Sequence, residues 1–141
     1  MHREILILSA AGLIFMGCAG QPMAQGIHQG RLAPCPSSPN CVSSQAGDLA
    51  PLPLPEEGPA EAIARLAAVI GSMKGSEIVE RTDEYLHATF RSTVGFTDDV
   101  EFCAEPGTGH VHFRSAARSG WYDFGVNKRR MEKIRRLYME K

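Results

Sequence analysis

The chain has 141 residues, is 43% hydrophobic and 22% charged, and carries a formal net charge of −1. That balance excludes a disordered polar chain, gives no general nucleic-acid footprint, and suits one domain. Charge is uneven, because residues 126–141 hold seven Lys or Arg against Glu132 and Glu140, a net +5 that leaves −6 on everything before.

The first predicted element is an export signal. His2, Arg3 and Glu4 precede an apolar run from Ile5 to Met16 that falls short of the roughly 20 residues needed to span a bilayer, and Gly17 and Cys18 follow. A small residue before the cut and a cysteine after it resemble the bacterial lipobox, in which the thiol takes a diacylglycerol thioether. Residues 1–17 are therefore expected to be a lipoprotein signal peptide and Cys18 the acylated (palmitate-bearing) first residue of the mature chain. The expected address is the bacterial cell envelope, lipid-anchored and facing the periplasm; Ala19 resembles the outer-membrane class. A plain secretory signal cut near Ala19 or Ala24 is the alternative.

Residues 18–34 read as a lipidated flexible tether, since the sixteen after Cys18 have no apolar period and would span about 20–24 Å. Residues 35–141 read as one domain. In an oxidising compartment Cys35 and Cys41 are the expected disulfide, with Pro36 and Pro39 folding the segment back between them. Zinc would need two further soft ligands at useful spacing. Cys103 reads as a small strand residue. Prolines 51, 53, 55 and 59 continue a loop that wraps the domain and is pinned by the disulfide.

Pro59 suits a first helical position, and Ile63, Leu66, Ala67, Ile70 and Met73 repeat at helical spacing up to Gly75. Strands are predicted at 77–82, 85–92, 98–104 and 110–116, with breaks short enough for an antiparallel meander. A second helix starts at about Asn127, with Met131, Ile134, Leu137 and Tyr138 as its apolar stripe. The expected fold class is α+β, a single domain in which an N-terminal and a C-terminal helix flank one face of a four-stranded antiparallel sheet.

Alternation places Leu86, Ala88, Phe90, Val100, Phe102, Val111 and Phe113 on one face and Arg91, Asp99, Glu101, His112 and Arg114 on the other. The polar set reads either as cross-strand ion pairs on a solvated face or as a groove in which Arg91 and Arg114 bind a carboxylate or phosphate. Asp98 and Asp99 are adjacent and point to opposite faces, so one site built from both needs a bulge; neither metal nor cofactor is expected. Lys128, Arg129 and Arg130 begin the last helix against its macrodipole. Pairing with Asp98, Asp99 or Asp123, or an anion seated among Arg118, Asn127 and Arg130, would compensate. The binding set nominated is thus Arg91, Arg114, Ser115, Arg118, Asn127 and Arg130. No serine elbow, phosphate loop or Cys and His spacing is present, so no catalytic residue is nominated.

The strings CPSSPNCVSS (35–44), TFRSTVGFTDDVEF (89–102) and HFRSAARSGWYDFGVNKRR (112–130), in that order, resemble a bacterial and plastid family known only as domain of unknown function 1499. The resemblance runs from about Leu32 to the C-terminus. It implies an exported protein, since members often follow a secretory or lipoprotein signal, and it implies no activity. Ala117 stands where members usually carry a second serine, and Tyr122 where they carry a small polar residue. The functional expectation is a noncatalytic, membrane-anchored envelope lipoprotein that binds a small anionic ligand or an envelope protein. The alternatives are a hydrolase or other enzyme working in the polar groove, and a purely structural interaction protein.

Overall fold

A computed structural model describes residues 23, 24 and 26–141. The signal segment 1–17 and the expected acylation residue Cys18 lie outside the described residues. A hairpin of β1 (Ile27–His28) and β2 (Arg31–Leu32) comes first, followed by β3 (Cys41–Ser43) and β4 (Leu52–Pro53) in the Pro-rich stretch. Helix α1 (Pro59–Gly71) leads into β5 (Ser76–Arg81), β6 (Tyr85–Arg91), β7 (Thr97–Glu105) and β8 (His110–Ala117), and α2 (Val126–Met139) closes the chain.

Helix α1 starts where Pro59 has no N–H to lose and buries Ile63, Leu66 and Ile70 on one stripe. It stops at Gly71, earlier than its apolar period predicts, because Ser72 caps the last turn, its hydroxyl donating to Val69 O at 2.6 Å. Gly75 instead turns the chain into β5. It holds φ at +80°, and a Cβ there would lie 2.4 Å from Arg91 O.

Strands β5 to β8 form the predicted antiparallel meander, with β3 beyond β8 in the order β3-β8-β7-β6-β5 and β4 also paired to β8. The sheet therefore has six strands where the sequence predicts four. Cys41 sits opposite Ala116 and Leu52 opposite Val111, so the Pro-rich stretch supplies two short edge pieces along one strand. Two or three residues cannot display a period of two, and Pro53 is tolerated because it lies on an edge. The Cys35–Cys41 disulfide is formed, with Cα atoms 5.7 Å apart, immediately where β3 begins.

Both helices cover one face. Leu86, Phe102 and Phe113 from the sheet meet Ile63, Leu66 and Ile70 from α1 and Met131 and Ile134 from α2. Each such side chain contributes about 1.5–3 kcal/mol on burial, and this core fixes the strand register on which the placement of every charged residue depends. Among the described residues, no helix is long and apolar enough to cross a membrane.

Replacing Gly75 by Ala forces a left-handed residue to carry a side chain against Arg91 O. The expected loss of unfolding free energy is roughly 2–4 kcal/mol, read by urea denaturation.

Candidate functional site

Strand alternation divides the nominated residues between two sides of the sheet. On the helix side, Asn127 opens α2 and is completely buried. Its amide nitrogen donates to Asn40 O at 3.3 Å and to Asp123 Oδ2 at 2.8 Å, while its oxygen accepts from Ser115 Oγ and from Arg130 Nη1. All four bonding positions of the amide are filled. Arg130 continues to Asp98 at 2.5 Å and lies 4.8 Å above the Phe90 ring. Asn40, just before Cys41, also donates to Gly120 O and accepts from Ala117 N–H, so the disulfide loop is tied to the end of β8. Asp123 caps α2, accepting from the N–H groups of Gly125 and Asn127 at 2.9 Å each. Burial raises its pKa, but these bonds outweigh that and hold it below the ordinary value. Of the first-turn cations Arg130 is thus compensated by Asp98, and Asp123 offsets the macrodipole by accepting from main-chain N–H groups.

On the opposite face Tyr85, His87, Asp99, Glu101, Cys103 and Arg114 are all buried. Glu101 and Arg114 are cross-strand partners and meet at 3.2 Å; Tyr85 donates its hydroxyl to Glu101 at 2.7 Å. Arg118 donates to both oxygens of Asp99, at 2.8 and 2.9 Å, and His87 Nε2 lies 2.8 Å from the same carboxylate. The covering layer is the chain's own N-terminal segment. Met23 N–H donates to Asp99 at 2.8 Å, Gly26 N–H donates to Glu101 at 2.9 Å, and Arg114 donates to Met23 O at 2.6 Å. Leu32 joins Tyr85 and Cys103 in a small second core. The described part of the segment read as a tether therefore lies on the sheet, and the polar face is roofed rather than solvated.

Electrostatics follow from that roof. Burial pushes the Asp99 carboxyl up, but bonds from His87, Arg118 and Met23 N–H prevail and hold it well below the usual carboxylate range. Burial, then Glu101, pushes the Tyr85 hydroxyl far above its ordinary value. The Cys103 thiol is pushed up to about 11 by burial and by Glu105 and Glu84, which leaves it protonated and unreactive at neutral pH. His112 stands apart from His87, 3.1 Å from Ser44 Oγ, and burial lowers its pKa. Among the described residues no group of three or more His, Cys, Asp and Glu side chains is placed to hold a metal ion.

Of the six nominated residues, Arg114 and Arg118 are thus matched by acids on the polar face, and Ser115, Asn127 and Arg130 form one network on the helix side. Arg91 is exposed at the end of β6. A cavity of about 690 Å³ lies beside it, between the turn 92–96, the segment 119–124 and the start of α2. Phe90, Val94, Phe96, Tyr122 and Phe124 line it together with Lys74, Arg91, Arg129, Arg130 and Lys133, against only Asp98 and Asp123. Those two acids are already engaged. Lys74, Arg91, Arg129 and Lys133 make no ion pair among the described residues. Val94 and Phe124 are 77% and 76% exposed. The cavity was not legible as a site because its walls come from two loops and two helix ends; apolar residues on either side of Gly95 in a turn were the available signal.

The family model described as "Protein of unknown function (DUF1499)" matches residues 31–137. No curated protein and no solved structure matches the chain.

Asn127→Ala removes four side-chain hydrogen bonds, takes the acceptor from the Ser115 hydroxyl and leaves Arg130 and Asn40 with one partner fewer each. Chemical denaturation should show a loss of roughly 2–4 kcal/mol. The Asp99 pKa is depressed by folding, so its contribution is complete above the unfolded value near ~3.9 and fades as pH falls below that toward the folded value. Thermal melts from pH 7 down to 2 should therefore weaken below about pH 4, and Asp99→Asn should lower stability at pH 7 by roughly 2–4 kcal/mol while flattening that acid limb.

Proposed function

The chain belongs to that uncharacterised family, and from its own geometry we propose that it is a noncatalytic binding module for a small anionic ligand, held at the bacterial envelope membrane by lipid on Cys18. The observation that carries this reading is the cavity, where Lys74, Arg91, Arg129 and Lys133 stand beside apolar side chains and have no acidic partner among the described residues. Small-molecule sites have this makeup, a mostly apolar concavity of about 300–1,000 Å³ with a few convergent polar groups. The site moves away from Arg114, Arg118 and Arg130, whose charges are spent on Glu101, Asp99 and Asp98. An enzyme in the polar groove draws less support, since Asp99 is held ionised by Arg118 and the groove is filled by the N-terminal segment.

The roof bears on the anchor as well. Met23 follows Cys18 by five residues, a reach of at most about 18 Å, so acyl chains on Cys18 would keep the domain close to the membrane surface instead of letting it roam.

Cys18→Ser should transfer the protein from the membrane to the soluble fraction of fractionated cells; continued sedimentation with membranes would refute the anchor. An anion that fills the cavity at a hundred times its Kd should add about 2.7 kcal/mol of stability. Lys74→Gln with Lys133→Gln should abolish that gain while leaving the ligand-free melting temperature unchanged. Arg118→Gln and Arg130→Gln should lower the melting temperature without any ligand.

A further inference from the structure

One cavity holds two unmet demands among the described residues, four cations without an ion pair and apolar side chains left exposed. Lys133 from α2 and Lys74 from the turn after α1 supply charge, while Phe96 and Phe124 from two separate loops supply apolar surface left in water. An inorganic anion answers the first demand and leaves the rings wet; a neutral chain does the reverse. We infer that the cavity takes an anionic single-chain amphiphile, an alkyl chain ending in a carboxylate or phosphate, with its acidic group toward Lys74 and Lys133 and its chain along Phe96 and Phe124. This rests on the reading of the cavity as the ligand site.

The backbone at Phe124 supports the assignment independently of charge. Phe124 holds φ at +53°, a left-handed conformation that bulky side chains seldom adopt and that surrounding structure must impose. Here Arg129 donates from Nη1 to Phe124 O at 2.7 Å, Asp123 accepts from the N–H groups of Gly125 and Val126, and Gly125 continues the left-handed turn. The strain keeps an aromatic ring at the cavity, 76% exposed and set edge-on to Tyr122 at 5.1 Å, where folding gains little from it. Such an arrangement fits a ring kept for a ligand. The volume of about 690 Å³ accommodates a single chain, and a concave lining suits a separate molecule better than the face of a bilayer.

The test uses the full chain carrying Cys18→Ser, so that no detergent competes. Binding is read by isothermal titration calorimetry, with the fluorescence of Trp121, the only tryptophan, exposed and next to the cavity residue Tyr122, as a second readout. Probes are dodecyl phosphate below its micelle concentration, inorganic phosphate, dodecanol, and vesicles of phosphatidylglycerol or phosphatidylcholine. Dodecyl phosphate should bind saturably and one to one, with inorganic phosphate and dodecanol each at least about tenfold weaker. Lys74→Gln with Lys133→Gln should weaken dodecyl phosphate about tenfold, and Phe96→Ser should weaken it too while leaving inorganic phosphate unchanged, both with wild-type melting temperatures. Inorganic phosphate binding as tightly as dodecyl phosphate would overturn the amphiphile inference and leave the small-anion module standing. Binding to vesicles without binding to monomeric dodecyl phosphate would overturn it in favour of a bilayer contact. Indifference to every cavity substitution, or no binding by any probe, would overturn both readings.

Discussion

Two neighbouring carboxylates on β7 hold the two sides of this molecule together. Because adjacent strand residues face opposite ways, Asp98 reaches the helices and Asp99 reaches the other side, and each is clamped by an arginine supplied after β8. Arg118 arrives directly off the end of β8 and closes on Asp99; Arg130 arrives one helical turn into α2 and closes on Asp98. The segment between them is thereby fixed at both ends. That segment carries Tyr122, Asp123 and Phe124, so one wall of the cavity is positioned by the pairing of these two acids.

Buried ion pairs of this kind give little net stability, since desolvation offsets much of the attraction, but losing one partner is costly. Their effect here is on placement. Asn127 adds a second constraint, with every donor and acceptor of its amide satisfied by the disulfide loop, β8, Asp123 and Arg130. The three sequence strings that carry the family resemblance meet in this network, through Asn40 from the first, Asp98 from the second, and Ser115, Asn127 and Arg130 from the third. A polar network so fully paired reads as architecture. What it leaves over, the cations and rings of the cavity, is where we propose the ligand binds.

Much of this was legible in the sequence. Apolar repeats located both helices and all four meander strands, Pro59 marked the first helical residue, and the cysteine spacing gave the disulfide. Alternation also separates Arg114 from Ser115, so the nominated residues were bound to fall on both sides of the sheet. The roof over the polar face was hidden for another reason. Met23 and Gly26 reach the carboxylates through main-chain N–H groups, which leave no signature in side-chain composition. Strands β3 and β4 were hidden by their shortness, and the cavity by assembly from residues more than fifty positions apart.

The central claim is that Arg114 and Arg118 are locked by buried acids while Arg91 at the cavity remains exchangeable. Solvent exchange of the arginine guanidinium N–H groups, Nη as well as Nε, followed by nuclear magnetic resonance at neutral pH without ligand, tests it directly. The account predicts slow exchange at Arg114 and Arg118 and fast exchange at Arg91. Equal, solvent-like exchange at all three would contradict it.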